Sequence, residues 1–94
     1  MDEDLEAAAE LFKALSSSSR LSLLRALGAA TSTVNELARR TGLSQPLVSQ
    51  HLRTLRSAGL VTVSRAGREA HYGVADPHVT HIVDDAIKHA LEPH

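Results

Sequence analysis

The 94 residues predict a mainly α-helical domain carrying one small β-hairpin. The apolar residues are aliphatic, with one Phe, one Tyr and no Trp, which suits a Leu/Ala/Val helical core better than a β-sandwich. Apolar spacings of three and four recur in five stretches, each bounded by capping or helix-breaking residues. Between the fourth and fifth stretches, two short β-like runs flank a loop that contains glycine.

Leu5, Ala8, Ala9, Phe12 and Leu15 share one stripe of a first helix over 4–15. The serine run 16–19 breaks that helix and caps a second. There Leu21, Leu23, Leu24 and Leu27 face inward, and the helix ends at Gly28. Residues 33–36, Thr-Val-Asn-Glu, form a capping box. A short third helix therefore starts there and runs to about Arg40, with Gly42 allowing a tight turn after it. Ser44 caps a fourth helix, with Pro46 in its first turn. Val48, Leu52 and Leu55 form its buried stripe, and Gly59 fits the position just past its end. The strand runs are 60–63 and 70–74, joined by a loop over 64–69 with Gly67 at its tip. Asp76 caps a fifth helix, Pro77 takes its first position, and it runs to about Leu91 before Pro93. Four helices, a hairpin and a closing helix make a winged helix-turn-helix. Residues 1–94 read as one such domain.

With no Cys, the chain has no disulfide, thiol nucleophile or thiol sensor. No apolar run reaches the roughly 18–20 residues that span a membrane. The opening MDEDLE is acidic, unlike a signal peptide. The expected location is the cytoplasm, with no membrane contact. The net charge of −1 speaks against nucleic acid when taken alone, but the charge is unevenly spread. Residues 1–10 hold five acids and no base, whereas 39–68 hold six arginines and no acid. A basic centre between acidic ends fits a chain of which one face meets phosphate.

The segment VNELARRTGLSQPLVSQHLRTLR (34–56) has the parts of a helix-turn-helix: a short positioning helix, a tight turn, and a helix with one polar face. That face carries Gln45, Ser49, Gln50 and Arg53, with Leu47 beside them. Gln and Arg make paired hydrogen bonds to base edges in the major groove. Ser44 and the helix N-terminus suit a backbone phosphate. Arg65 and Arg68 on the hairpin would reach the adjacent minor groove or its phosphates. The DNA-binding set is therefore Ser44, Gln45, Ser49, Gln50, Arg53, Arg65 and Arg68, and the partner is double-stranded DNA.

SQPLVSQHLRTLRSAGLV followed by RAGREAHYGV resembles the ArsR/SmtB family of bacterial winged-helix repressors, over roughly residues 5–92. The resemblance implies a homodimer built largely from the first and last helices. It also implies a recognition helix at about 44–57 and release from operator DNA when metal binds.

Four of the six histidines lie in the last nineteen residues. His78 and His89 fall within about 20° of one helical face but about 16 Å apart along the axis. Ligand bonds of about 2 Å cannot join them to one metal within a chain. A second, antiparallel copy of the helix removes the difficulty, because the pairs 78/89 and 76/92 share one two-fold register to within a residue. Each of two sites per dimer would take Asp76 and His78 from one chain and His89 and Glu92 from the other. Two imidazoles and two carboxylates in a closed set suit zinc. The same four residues match the family's last-helix pattern, Asp-x-His-x10-His-x2-Glu/His. The family's other metal site uses third-helix cysteines, which VNELARR lacks. His81 and His94 are extra donors for a metal preferring six ligands, such as nickel or cobalt; His51 and His71 are assigned no metal role. Bonding from His89 to the recognition-helix end near Gly59 would link metal to DNA.

The expected function is that of a metal-responsive repressor. Two other classes stand beside it. One is a DNA-binding module that senses no metal and uses its last helix only to dimerise. The other is a zinc enzyme with His78, His81 and Asp85 on one face of one chain.

Overall fold

The computed structural model describes residues 2–93. Five helices and a hairpin follow in chain order: α1 (Glu3–Leu15), α2 (Ser18–Ala29), α3 (Val34–Thr41), α4 (Gln45–Ser57), β1 (Val61–Ala66), β2 (Glu69–Val74) and α5 (Pro77–Leu91). A side-chain oxygen caps the start of every helix: Asp2, Ser17, Thr33, Ser44 and Asp76 each accept a backbone N–H from the first turn. This satisfies donors that a helix leaves unpaired. At Thr33 the capping box is complete, with the Thr33 N–H donating back to Glu36 Oε1 at 2.9 Å.

The core gathers around α2, which packs against every other helix and against β2. Leu23, Leu24 and Leu27 of α2 are buried with Leu37, Val48, Leu52, Leu55, Leu60, Val61, Val79 and Val83. Gly28 does not end α2. The helix runs to Ala29 with Ala30 as its C-cap, and Thr80 of α5 packs 3.7 Å from where a Cβ on Gly28 would stand. Only the inner edge of α1 joins the core, through Ala14 and Leu15, with Leu11 packed beside them. The rest of the predicted stripe points outward: Ala8 and Ala9 are exposed, Leu5 is 62% exposed and Phe12 61%.

Between α3 and α4 the chain turns at Gly42, whose φ of 77° is one that side-chain-bearing residues avoid. The hairpin is longer than the sequence predicts. Strands β1 and β2 pair antiparallel from Val61↔Val74 to Ala66↔Glu69, leaving only Gly67 and Arg68 as the turn. Gly67 has φ 65°, the positive value that a tight two-residue turn needs at its first position. The polar character of 64–69 reads as loop in the sequence, but an exposed two-stranded wing tolerates polar residues on both faces. Ser32 extends the sheet by one bridge to Tyr72, with N–H···O bonds of 3.0 and 2.8 Å.

Candidate nucleic-acid interface and metal residues

The recognition element is assembled by burial on one side. Val48, Leu52 and Leu55 anchor α4 in the core, so the opposite side of the helix faces solvent. Ser44, Gln45, Ser49, Gln50 and Arg53 are all exposed there. Ser44 Oγ accepts the Leu47 N–H at 3.4 Å, fixing the first turn. Arg65 lies on β1 and Arg68 in the hairpin turn, both exposed. All seven expected DNA-contacting residues thus occupy exposed positions, on α4 with its cap and on the hairpin.

Two arginines change standing. Arg56 belongs to the basic centre but not to the expected DNA-binding set. Together with Ser49, Leu52, Arg53, Ser57 and Tyr72 it lines an open cleft between α4 and the hairpin. The helical phase of Arg56, one turn past Arg53, is the sequence signal for it. Arg40, though exposed, is engaged within the fold. Its Nη1 donates to Ser32 Oγ at 2.7 Å and its Nη2 to the Ala26 carbonyl at 3.0 Å. It clamps α3 to α2 and to the segment bridged to the hairpin.

A second polar cleft lies between the start of α3 and the hairpin, lined by Thr33, Asn35, Glu36, Arg39, Glu69 and His71. His71 Nε2 stands 3.9 Å from Glu69 Oε1. Hydrogen bonding from the Thr33 amide, and then from its hydroxyl, holds the Glu36 carboxyl below its ordinary value of 4.5; desolvation opposes this, and Arg39 and then His71 add lesser lowering contributions.

The metal candidates sit at both ends of α5. Asp76 Oδ1 accepts from the His78 and Val79 amides at 2.9 and 3.3 Å. The same oxygen lies 3.4 Å from His78 Nδ1. Asp76 therefore caps the helix and faces the imidazole at once, and both side chains are open to solvent. His89 and Glu92 are exposed at the far end. Glu92 is the C-cap, with φ −70° and ψ 144°, so the regular helical phase stops at Leu91. Within one chain, no three His, Asp or Glu side chains among the described residues come together to hold a metal. The enzyme-like trio of His78, His81 and Asp85 thus forms no such group. His94 lies outside the described residues.

Ala75, just before Asp76, donates its N–H to the Leu60 carbonyl at 3.0 Å. This bond joins the start of α5 to the chain as it leaves α4 through Gly59. His89, thirteen residues beyond Asp76, is about 20 Å away along the same helix. The expected link from His89 to Gly59 is therefore not one that a single chain makes. No helix among the described residues is long and apolar enough to cross a membrane.

The profile described as "Bacterial regulatory protein, arsR family" matches residues 17–63. The chain is 47% identical over 90 residues to the HTH-type transcriptional repressor SmtB of Mycobacterium tuberculosis, covering 96% of this chain and 67% of that protein. It is 40% identical over 94 residues to the HTH-type transcriptional regulator NmtR of the same organism, covering 97% of this chain and 78% of that one. Among solved structures it resembles the homodimeric winged helix-turn-helix DNA-binding domain of a possible ArsR-family regulator from Mycobacterium bovis. The TM-score there is 0.86 at 31% identity, over 96% of this chain and 86% of that one. HlyU from Vibrio cholerae matches with TM-score 0.86 and 29% identity, over 98% and 100%.

Proposed function

The chain belongs to the ArsR family of bacterial regulatory proteins, and from that premise we propose that its metal-free homodimer represses by holding operator DNA and lets go when zinc binds. It is a transcriptional regulator with a winged-helix DNA-binding fold, not an enzyme. The observation that carries the zinc reading is the division of ligands along α5. Asp76 and His78 already face each other at one end, while His89 and Glu92 stand exposed at the other. Each end is half of a four-ligand set, and the halves are too far apart to meet in one chain. Two antiparallel copies of α5 would complete both. The donors, two imidazoles and two carboxylates, fit zinc in a closed tetrahedral site. Bound zinc would supply strong bonds that cross the dimer.

The outward stripe of α1 supports the dimer. Leu5 and Phe12 are large and exposed, and Leu91 at the end of α5 is 81% exposed. Large apolar side chains left exposed on a small chain suit a partner surface, and a similar solved domain is homodimeric. Ser44, Gln45, Ser49, Gln50 and Arg53 would enter the major groove, with Arg65 and Arg68 on the flanking backbone or minor groove. The Ala75–Leu60 hydrogen bond supplies a route between metal and DNA. Any pull on Asp76 and His78 is felt one residue away, where the chain leaves the recognition helix. The partner's His89 would complete the site at that same end.

Fluorescence anisotropy with labelled DNA from upstream of the protein's own gene, at fixed salt, tests the reading. Chelator-treated protein should bind tightly, and one zinc equivalent per monomer should weaken binding tenfold or more, about 1.4 kcal/mol of coupling. Tight binding that zinc leaves unchanged overturns the zinc reading and keeps the DNA one. A response to nickel or cobalt alone would move the site to a six-ligand metal, with His81, exposed and one turn from His78, as the added donor.

A further inference from the structure

Leu47 is an exposed leucine on a helix whose apolar residues are otherwise buried. It is 44% exposed, while Val48, Leu52 and Leu55 of α4 are at most 1% exposed. The clefts formed with Ser49, Arg53 and Arg56, with Thr54 and Ser57, and with Gln45 and Ser49 are lined without it. Its amide is bonded to the Ser44 cap, so it belongs to the first turn of α4, the part of a recognition helix that approaches base edges most closely. It lies within about 60° of Gln50 around the helix. Its exposed neighbours on α4, Gln50, Arg53 and Thr54, include no acid, and none occurs anywhere in 39–68. The surroundings therefore suit a polyanion. In the major groove the one apolar group on a base edge is the thymine C5-methyl.

We propose that Leu47 reads a thymine methyl group in each operator half-site, an assignment that rests on the DNA-binding role of α4. Leucine has no donor or acceptor, so it cannot recognise any other feature of a base edge. Contact with the methyl removes apolar surface from water on both sides. Next to a group that hydrogen-bonds, such as Gln50, it separates thymine from cytosine without a charged contact. Because the contact is apolar, it contributes to sequence preference and leaves the salt dependence of binding to the arginines.

The test deletes the methyl and nothing else. A duplex selected by the native chain from a random-sequence pool is resynthesised with deoxyuridine in place of one thymidine at a time, and binding is followed by anisotropy. One position in each half-site should lose about fourfold in affinity, the worth of one buried methyl-sized group. The Leu47→Ala chain should bind thymine and uracil duplexes equally, with the native salt slope. Leu47→Met should recover the methyl preference. If the native chain binds the selected duplex but no single deoxyuridine matters, the Leu47 assignment fails alone. If Leu47→Ala keeps the full penalty, another residue reads the methyl and the assignment fails. If no duplex is enriched at all, the DNA reading of α4 falls and takes this one with it.

Discussion

Arg40 donates to the Ser32 hydroxyl across a 2.7 Å hydrogen bond, so a cation on the helix-turn-helix serves the fold rather than the phosphate backbone. Ser32 is fully buried and donates its own hydroxyl hydrogen bond to the Ala30 carbonyl at 3.1 Å. Its backbone is bridged to Tyr72. The guanidinium thus connects α3, the end of α2 and the hairpin. Arg40→Ala should lower stability by about 1–2 kcal/mol, the worth of a charge-assisted hydrogen bond. Thermal unfolding measures it. The salt slope of DNA binding should not change; a slope reduced by one unit would make Arg40 a phosphate ligand after all.

Arg53, Arg65 and Arg68 behave in the opposite way. Each is exposed, and none has a hydrogen bond that removing it would orphan. Alanine at any one of them should leave the melting temperature within the range typical of surface changes, about 0.5 kcal/mol. Each that meets a phosphate should reduce the slope of log affinity against log salt by roughly one. Titrations at several salt concentrations separate these positions from those that read bases.

The divided ligand set predicts complementation between two dead variants. His78→Ala and His89→Ala should each abolish zinc-dependent release. A mixed dimer of the two contains one site broken in both halves and one fully intact. Co-refolding the variants should therefore restore one zinc to each mixed dimer, which for random pairing is about a quarter of the native amount over the whole sample by equilibrium titration. A site closed within single chains would give none.

The outward face of α1 predicts that dimerisation fails when it is charged. Phe12→Asp removes one apolar anchor from each chain, so the loss counts twice across a two-fold axis. With about 1.5 kcal/mol or more per buried Phe, the dimer dissociation constant should rise at least 100-fold. Sedimentation reads the monomer directly. DNA affinity should fall with it, because two half-sites are then no longer held by one particle.

Glu36 makes the start of α3 acid-sensitive. Its folded carboxyl is held below 4.5 by hydrogen bonds from Thr33, so the stabilisation is complete above that value and is lost as pH falls through the lower folded value. Glu36→Gln keeps an acceptor for the Thr33 amide but has no charge to titrate. It should be less stable than the native chain at neutral pH, with the difference closing in acid. Urea midpoints at neutral pH and below 4 measure the gap, and a constant gap would contradict the assignment.

The order of elements, the capped starts of α2 to α5 and the buried stripes of α2 and α4 are legible because they depend on neighbours in sequence. A cap bonds to an amide two or three residues on, and a helical stripe repeats every three or four. Ser44, Pro46, Val48, Leu52 and Gly42 specify the helix-turn-helix on those terms alone. The end of α2 falls one residue past Gly28, because the backbone bond from the Ala30 N–H to the Ala26 carbonyl continues the helix whatever the side chain. The hairpin exceeds what local pattern predicts, since each strand depends on hydrogen bonds to the other. Tertiary structure alone decided that the exposed Arg40 bonds to Ser32 and Ala26 while Arg56 lies on the cleft beside the hairpin. It also decided that the α1 stripe faces solvent, and that the start of α5 is tied to Leu60. These depend on which surfaces the fold brings together. Local spacing sets the direction of a side chain along its own helix but not what stands opposite it.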